Sequence, residues 1–198
     1  MSKIEDIMTK HIQSKNNQIF AGKWNTGPYN EAKTISGTDI GDVGEKFIRD
    51  LFVEYGYIAS QSGHDEYDIL LKSKNENEIK IEIKTAKEGR QNETYQFDGV
   101  DPRHNAKFTI LLGIANDNLY FNYFKDTDKR WDHSIRSWFV DNIEKTTGSK
   151  KLVRMSPNNE FSLKLTLSRS SLFLMNDSNI EEFLRNIADE VAINPIKE

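Results

Sequence analysis

Asp68, Glu82 and Lys84 are the residues of this chain whose types and spacing best suit joint chemistry. Two carboxylates on neighbouring strands can grip one divalent cation, and a lysine beside them can steady a developing negative charge. Glu-x-Lys occurs as Glu31-Ala32-Lys33, Glu78-Ile79-Lys80 and Glu82-Ile83-Lys84. With 29% of residues charged, the triplet alone discriminates nothing. Strand geometry does. Residues two apart on a strand share a face, so Glu82 and Lys84 point together while Ile83 points into the core. Ile69 and Leu71 alternate in step with Ile79, Ile81 and Ile83, and the intervening SKNEN reads as a hairpin loop. The register that keeps those apolar residues on one face sets Lys72 opposite Glu78, Leu70 opposite Lys80 and Asp68 opposite Glu82. Directly paired residues hold their Cβ atoms roughly 4.5–5.5 Å apart, close enough for two carboxylates to share a cation.

The other triplets fail the same test. Glu78 finds Lys72 across from it, which predicts an ordinary cross-strand ion pair. Glu31 and Lys33 lie in a stretch without strand alternation. Only Glu82 has an acid opposite. Two unscreened carboxylates at this spacing repel, and a divalent cation is the usual reason to tolerate them. The competing reading of the same residues is a solvated sheet face with incidental ion pairs.

Periodicity supplies the elements that position these residues. A short helix is expected over 2–14 from Ile4, Ile7, Met8 and Ile12, followed by a polar, turn-rich arm over 15–39 with Phe20, Trp24 and Tyr29 exposed. Asp39 or Thr38 caps a helix over 40–55 whose apolar face is Ile40, Val43, Phe47, Ile48, Leu51 and Phe52, and Gly56 ends it. Strands are expected over 57–61, 67–72 and 78–86, then an irregular polar stretch over 87–106. FTILLGIA (108–115) has the pattern of a strand buried on both faces, and Asn116-Asp117-Asn118 turns the chain into LYFNYF. Beyond it the pattern predicts a helix over 131–145 and strands near 160–167 and 171–175. A last helix is expected over 179–192, capped by Ser178 or Asn179. The class is α/β, with a mixed central β-sheet flanked by helices. One domain over 1–198 accommodates it: an N-terminal helix and arm (1–39), a catalytic core (40–125) and C-terminal additions (126–198).

Composition narrows the function classes. The chain has no cysteine, which excludes disulfides and Cys-ligated zinc. No apolar leader or bilayer-length apolar run is visible, so a cytoplasmic protein with no membrane partner is expected. The formal net charge of −4 argues against nucleic acid at first sight. Its distribution removes the objection. Residues 176–198 hold six acids against Arg185 and Lys197, whereas 145–169 hold Lys145, Lys150, Lys151, Arg154, Lys164 and Arg169 against Glu160 alone.

A helix carrying Glu45 in DVGEKFIRDLF, then Asp68 in EYDILL, a hairpin to Glu82-Ile83-Lys84 in KIEIKTA, and a buried strand resemble the core of the PD-(D/E)xK nuclease superfamily. Residues 40–125 carry the resemblance, which implies a restriction-endonuclease-like core. Tyr67 stands where the family name has proline. Gly89, Gly99 and Pro102 fall where the family usually places a helix, so that crossover is expected to be short or broken. The resemblance implies that Asp68, Glu82 and the Ile83 carbonyl bind Mg²⁺ and that Lys84 orients the attacking water. Glu45 would hold a second metal or a metal-bound water; its alternative is a solvent-facing helix carboxylate.

Around this centre, Gln96, Asp98, Arg103 and His104 are candidate contacts to phosphates or bases, with an ordinary surface loop as the alternative, and Lys150, Lys151 and Arg154 a candidate DNA clamp. His104 has no His or Cys at ligand spacing, which excludes a zinc site. Trp131, Trp138 and Phe139 are expected in the core or at a subunit interface, and residues 22–37 form a candidate DNA-contacting arm. The expected activity is that of a type II site-specific deoxyribonuclease cutting double-stranded DNA as a homodimer. The alternatives are a resolvase or repair nuclease on the same core, and a non-catalytic nucleic-acid-binding module.

Overall fold

The computed structural model describes residue 24 and residues 27–62, 67–72, 78–89, 93–104, 106–144, 149–157 and 162–189. The helix expected over 2–14 lies outside the described residues, as do Phe20 and the end of the last helix. No described helix is long and apolar enough to cross a membrane.

The fold is α/β around a mixed central sheet. Helix α1 (Gly37–Glu54) leads into strands β1 (Ile58–Gln61), β2 (Ile69–Lys72) and β3 (Glu78–Lys87). Strands β4 (Thr94–Val100), β5 (Phe108–Ile114) and β6 (Leu119–Lys125) follow, then β7 (Lys129–Asp132), β8 (Ser137–Glu144), β9 (Lys150–Arg154) and β10 (Ser156–Pro157). Strands β11 (Leu163–Ser168) and β12 (Phe173–Leu174) and helix α2 (Asp177–Asp189) complete the described chain. The central sheet has the order β1-β2-β3-β5-β6-β12, with β3 and β5 parallel and the other neighbours antiparallel. Two three-stranded sheets, β10-β11-β4 and β7-β8-β9, accompany it.

Alternation along the central strands divides the interior into two cores. Ile79, Ile81, Ile83, Phe108, Ile110 and Leu112 pack with Ile40, Ile48 and Phe52 of α1 and Phe183 and Leu184 of α2. On the opposite face Ala86, Leu111, Tyr120 and Phe124 pack with Tyr95 and Phe97 of β4, Val140 of β8 and Leu165 of β11. Both helices therefore cover one face, while strands cover the other. Helix α1 buries Ile40, Gly44, Ile48 and Phe52, one stripe at four-residue spacing. Gly44 sits in that stripe because a Cβ there would lie 1.9 Å from Thr85 Oγ1, so α1 runs hard against β3. The Ser36 hydroxyl caps α1 by accepting from Asp39 N–H at 3.0 Å, in place of the expected Thr38 or Asp39. Gly56, at φ 82°, ends it as expected.

Four further sequence expectations are corrected. The helix over 131–145 is instead the β7–β8 hairpin, in which Trp131 pairs with Trp138 and Arg130 with Phe139. Aromatic and β-branched residues with a turn at 133–136 favour strands, and the apparent helical spacing of the tryptophans is their cross-strand pairing. The stretch 87–106 contains β4, whose alternation of buried Tyr95 and Phe97 with exposed Gln96 and Asp98 was there to be read. The crossover between parallel β3 and β5 thus passes through a strand of the second sheet, where the family pattern has a helix. Trp24 is buried, under the Lys33 ammonium at 4.9 Å, because the indole covers the edge of the first core. At α2, the Asn176 carboxamide oxygen accepts from Asn179 N–H at 3.0 Å, so Asn176 supplies the cap expected of Ser178 or Asn179.

Candidate active site

The β2–β3 hairpin has the register read from its alternation. Ile69 faces Ile81, Leu70 faces Lys80, and Lys72 faces Glu78 with an ion pair of 2.8 Å. Asp68 lies one residue before β2, where the ladder shifts by one: its N–H donates to the Ile81 carbonyl at 2.9 Å, although Ile81 is the partner of Ile69. Its carboxylate reaches across to accept the Ile83 N–H at 2.6 Å. Asp68 therefore stands beside Glu82 and Ile83, anchored through one oxygen.

Glu82 is only 2% exposed. A solvated sheet face is excluded for this residue. Burying an ionised carboxylate costs several kcal/mol, roughly the gain from burying one or two large apolar side chains, unless partners compensate. Compensation here reaches one oxygen: Oε1 meets Lys84 Nζ at 2.8 Å and His104 Nδ1 at 3.2 Å. Oε2 is buried with no hydrogen-bond partner. An orphaned buried carboxylate oxygen is expensive, and a cation at that position would satisfy it.

Glu45 joins from α1, half-buried, its Oε2 accepting from Gln61 Nε2 at 3.2 Å. Burial raises its pKa first, and the Asp68 charge raises it further against the opposing Gln61 hydrogen bond. Burial likewise lifts Asp68, with Glu82 adding repulsion and the Ile83 N–H and Lys84 pulling the other way. The two carboxyls resist ionisation because burial desolvates each of them and, secondarily, each sits in the field of another acid. Among the described residues no three His, Asp or Glu side chains close into a cation cage. The donor set on offer is smaller: Asp68, Glu82 and the Ile83 carbonyl, all oxygen. Such a set fits Mg²⁺, which is commonly held by one or two carboxylates and otherwise by water.

Lys84 and Glu45 open onto a cavity of about 630 Å³ between the start of α1 and strands β3 and β4. Lys33 and Lys87 line it, together with Thr94, Gln96 and Asp98, the outward residues of β4. Gly99, at φ 76°, lies at a bulge between β4 and β11, and a Cβ there would come within 3.8 Å of Lys84 Nζ. A left-handed conformation favours glycine, and the absent side chain leaves the ammonium accessible from that side.

The remaining candidates divide. Gln96 lines the cavity, and His104 touches Glu82. Arg103 is turned onto Asp101, donating from Nε at 2.9 Å and Nη2 at 2.6 Å, which brings the Asp101 pKa down to about 2. Lys150, Lys151 and Arg154 are exposed on β9, in the sheet β7-β8-β9, and none of them lines the cavity. Gln61, Thr94 and Asp101 entered no sequence argument, whereas Asp98, a candidate contact from the sequence, lines the cavity with Gln96. The alternation in TYQFD was the available signal for Thr94, and Gln61 is brought to Glu45 only by packing.

No protein-family model matches the chain, and no curated protein matches it. Among solved structures the chain is similar to a bacterial homing endonuclease, I-Ssp6803I. The likeness has a TM-score of 0.42 and 12% sequence identity over 79% of this chain and 94% of that one. The chemistry rests on the residues of this chain.

Proposed function

We propose that the protein is a Mg²⁺-dependent endonuclease that hydrolyses phosphodiester bonds of double-stranded DNA, of the site-specific type II restriction class. One observation carries the reading: Asp68 lies across from a buried Glu82 whose free oxygen lacks a partner, with Lys84 beside it at the edge of a cavity. Asp68, Glu82 and the Ile83 carbonyl would hold Mg²⁺. Bound there, the ion would supply Lewis-acid stabilisation of a phosphate oxygen and would make water a better nucleophile near neutral pH.

The chain's own groups do the rest. Glu82 holds Lys84 Nζ at 2.8 Å, which fixes the ammonium over the place where charge accumulates on the phosphate. Lys84 also offers donors to orient the attacking water. The water oxygen forms the new bond to phosphorus as the bond to the leaving oxygen breaks, and the leaving oxygen takes a proton from solvent water. Glu45, whose pKa is raised by burial and the Asp68 charge, would accept a proton from that water or hold a further metal-bound water. Cutting both strands of a duplex needs two such centres, hence a two-fold homodimer.

Incubation of the purified protein with plasmid and phage DNA, in Mg²⁺ and in EDTA, tests the reading. Discrete fragments in Mg²⁺ and intact DNA in EDTA are expected. A smear, or cutting confined to four-way junctions, moves the assignment to a repair nuclease or resolvase. No cutting of any DNA in Mg²⁺ removes it.

A further inference from the structure

Strand β4 passes the proposed catalytic lysine and goes on to form a polar surface beside it. Its neighbour in the sheet is β11, with Gln96 directly opposite Thr166, Phe97 opposite Leu165 and Tyr95 opposite Leu167. Tyr95, Phe97, Leu165 and Leu167 are fully buried, which fixes the inward face of this ribbon. The outward face is then set by alternation: Thr94, Gln96 and Asp98 on β4, Lys164 and Thr166 on β11. Gln96 and Thr166 are exposed. Among the described residues neither side chain is taken up in a hydrogen bond. Asp98 is paired with Lys164 at 3.4 Å, so the face carries no net repulsion toward a polyanion from that acid.

We propose that the outward face of the β4–β11 ribbon reads base edges in the major groove of a duplex whose cut phosphate lies at Lys84, with Gln96 and Thr166 as the reading side chains. The inference rests on the nuclease reading and adds to it the surface that selects the sequence. Three features support it. Thr94, Gln96 and Asp98 line the same cavity as Lys84 and Glu45, so one bound duplex meets both. Strand β10 pairs only with Leu163 and Lys164, so at Gln96 and Thr166 the sheet is two strands wide, narrow enough for the major groove, which is about 12 Å wide. Alternate residues on a strand are roughly 6.8 Å apart, the rise of about two base-pair steps, so successive outward side chains meet successive pairs of steps.

The chemistry of the two readers is suitable. A glutamine amide can bond adenine N6 and N7 together, and a threonine offers a hydroxyl to either base type and a methyl to that of thymine. A Cβ at Gly99 would come within 3.8 Å of the Lys84 ammonium, and Gln96 lies three residues along the same strand, roughly 10 Å away. The base pair read by Gln96 therefore lies within about three steps of the cut. Lys150 and Lys151, on the other small sheet, have no such relation to the cavity and can supply only phosphate contacts.

The experiment uses the full chain and a pool of duplexes with a randomised core, bound in Ca²⁺ and then cut in Mg²⁺. Wild type, Gln96→Ala, Thr166→Ala and Lys150→Ala are compared. Wild type enriches one sequence, and Gln96→Ala relaxes one position of it, near the cut, losing about tenfold or more of its discrimination there. Replacing the purine at that position by its 7-deaza analogue, which lacks the major-groove N7, weakens wild type by a similar factor. It leaves Gln96→Ala unaffected, as expected for two halves of one contact. Lys150→Ala, if it acts at all, weakens all sequences evenly. Unchanged base preferences in both Gln96→Ala and Thr166→Ala, with Lys84-dependent cutting intact, overturn the ribbon and leave the nuclease. Interference confined to minor-groove groups overturns it too. A wild-type chain that neither binds nor cuts duplex DNA removes the nuclease reading and the ribbon together.

Discussion

Strand β3 carries two Glu-x-Lys triplets four residues apart on one face, and they live in different surroundings. Glu78 is 46% exposed and closes an ion pair with Lys72 at 2.8 Å, while Lys80 lies over the Tyr67 ring at 5.0 Å. Glu82 is 2% exposed, with one oxygen shared by Lys84 and His104 and the other unpartnered. The chemistry of the residues is identical. Position in the sheet separates them: the first triplet lies near the hairpin loop, and the second lies where α1, β4 and the 101–104 loop converge on β3. A surface ion pair like Lys72–Glu78 contributes about 1 kcal/mol or less, whereas a buried, half-satisfied carboxylate is costly to keep without a function.

The sharpest way to break this contrast is to remove each lysine in turn. Lys84→Ala is expected to lower the single-turnover cleavage rate by about two to three orders of magnitude, with DNA binding in Ca²⁺ little changed. Lys80→Ala should cut at close to the wild-type rate. An inactive Lys80→Ala beside an active Lys84→Ala would place the chemistry on the wrong triplet.

The acids come next. Asp68→Asn should abolish Mg²⁺-dependent cutting and the thermal shift produced by Mg²⁺, while Glu78→Gln should leave both in place. Burial and neighbouring acids raise the Asp68 and Glu45 pKa values, so the folded state holds their protons more tightly than the unfolded chain does. Their contribution to stability is present below the ordinary carboxylate range and is lost as pH rises through the raised values. In EDTA, wild type should therefore lose stability over that window and Asp68→Asn should lose less; calorimetry at stepped pH measures the difference.

Packing distinguishes the two halves of the strand as well. Gly44→Ala drives a Cβ into Thr85, next to the active triplet, and should destabilise the fold by about 1–3 kcal/mol in urea. Gly41→Ala, one turn earlier and with open space around it, should be neutral or stabilise by up to about 1 kcal/mol. Equal effects at the two glycines would mean that α1 does not press on β3.

The smallest effect concerns Asp101, held near pKa 2 by Arg103 and thus the electrostatic opposite of Asp68. A depressed carboxylate stabilises the fold above its ordinary pKa, and that stability is lost as pH falls toward about 2. Arg103→Ala should be slightly less stable than wild type at neutral pH and converge with it in acid. If Arg103→Ala instead cuts DNA much more weakly at unchanged stability, Arg103 leaves Asp101 to contact the substrate.

The sequence by itself determined the hairpin and its register. Ile69 and Leu71 can share a buried face with Ile79, Ile81 and Ile83 in one pairing, and a one-residue slip would turn them all to the opposite side. That alone set Asp68 against Glu82 and exposed Glu78 to Lys72. It also determined α1, the doubly buried β5 and the α/β class, because each rests on a run of side chains whose period needs no distant partner.

What the sequence left open were features created by contact between remote segments. Trp131 and Trp138 fit a helical spacing as well as a cross-strand pair, and the second core and the pairing with β9 select the strand. Strand β4 is legible in the alternation of TYQFD, but its partner β11, its bulge at Gly99 and its place across the central sheet are set by packing. Burial of Glu82, the approach of Glu45 and the contact from His104 were likewise decided by tertiary structure. A side chain's solvation and its charged neighbours depend on which segments close over it, and local periodicity carries no record of that closure.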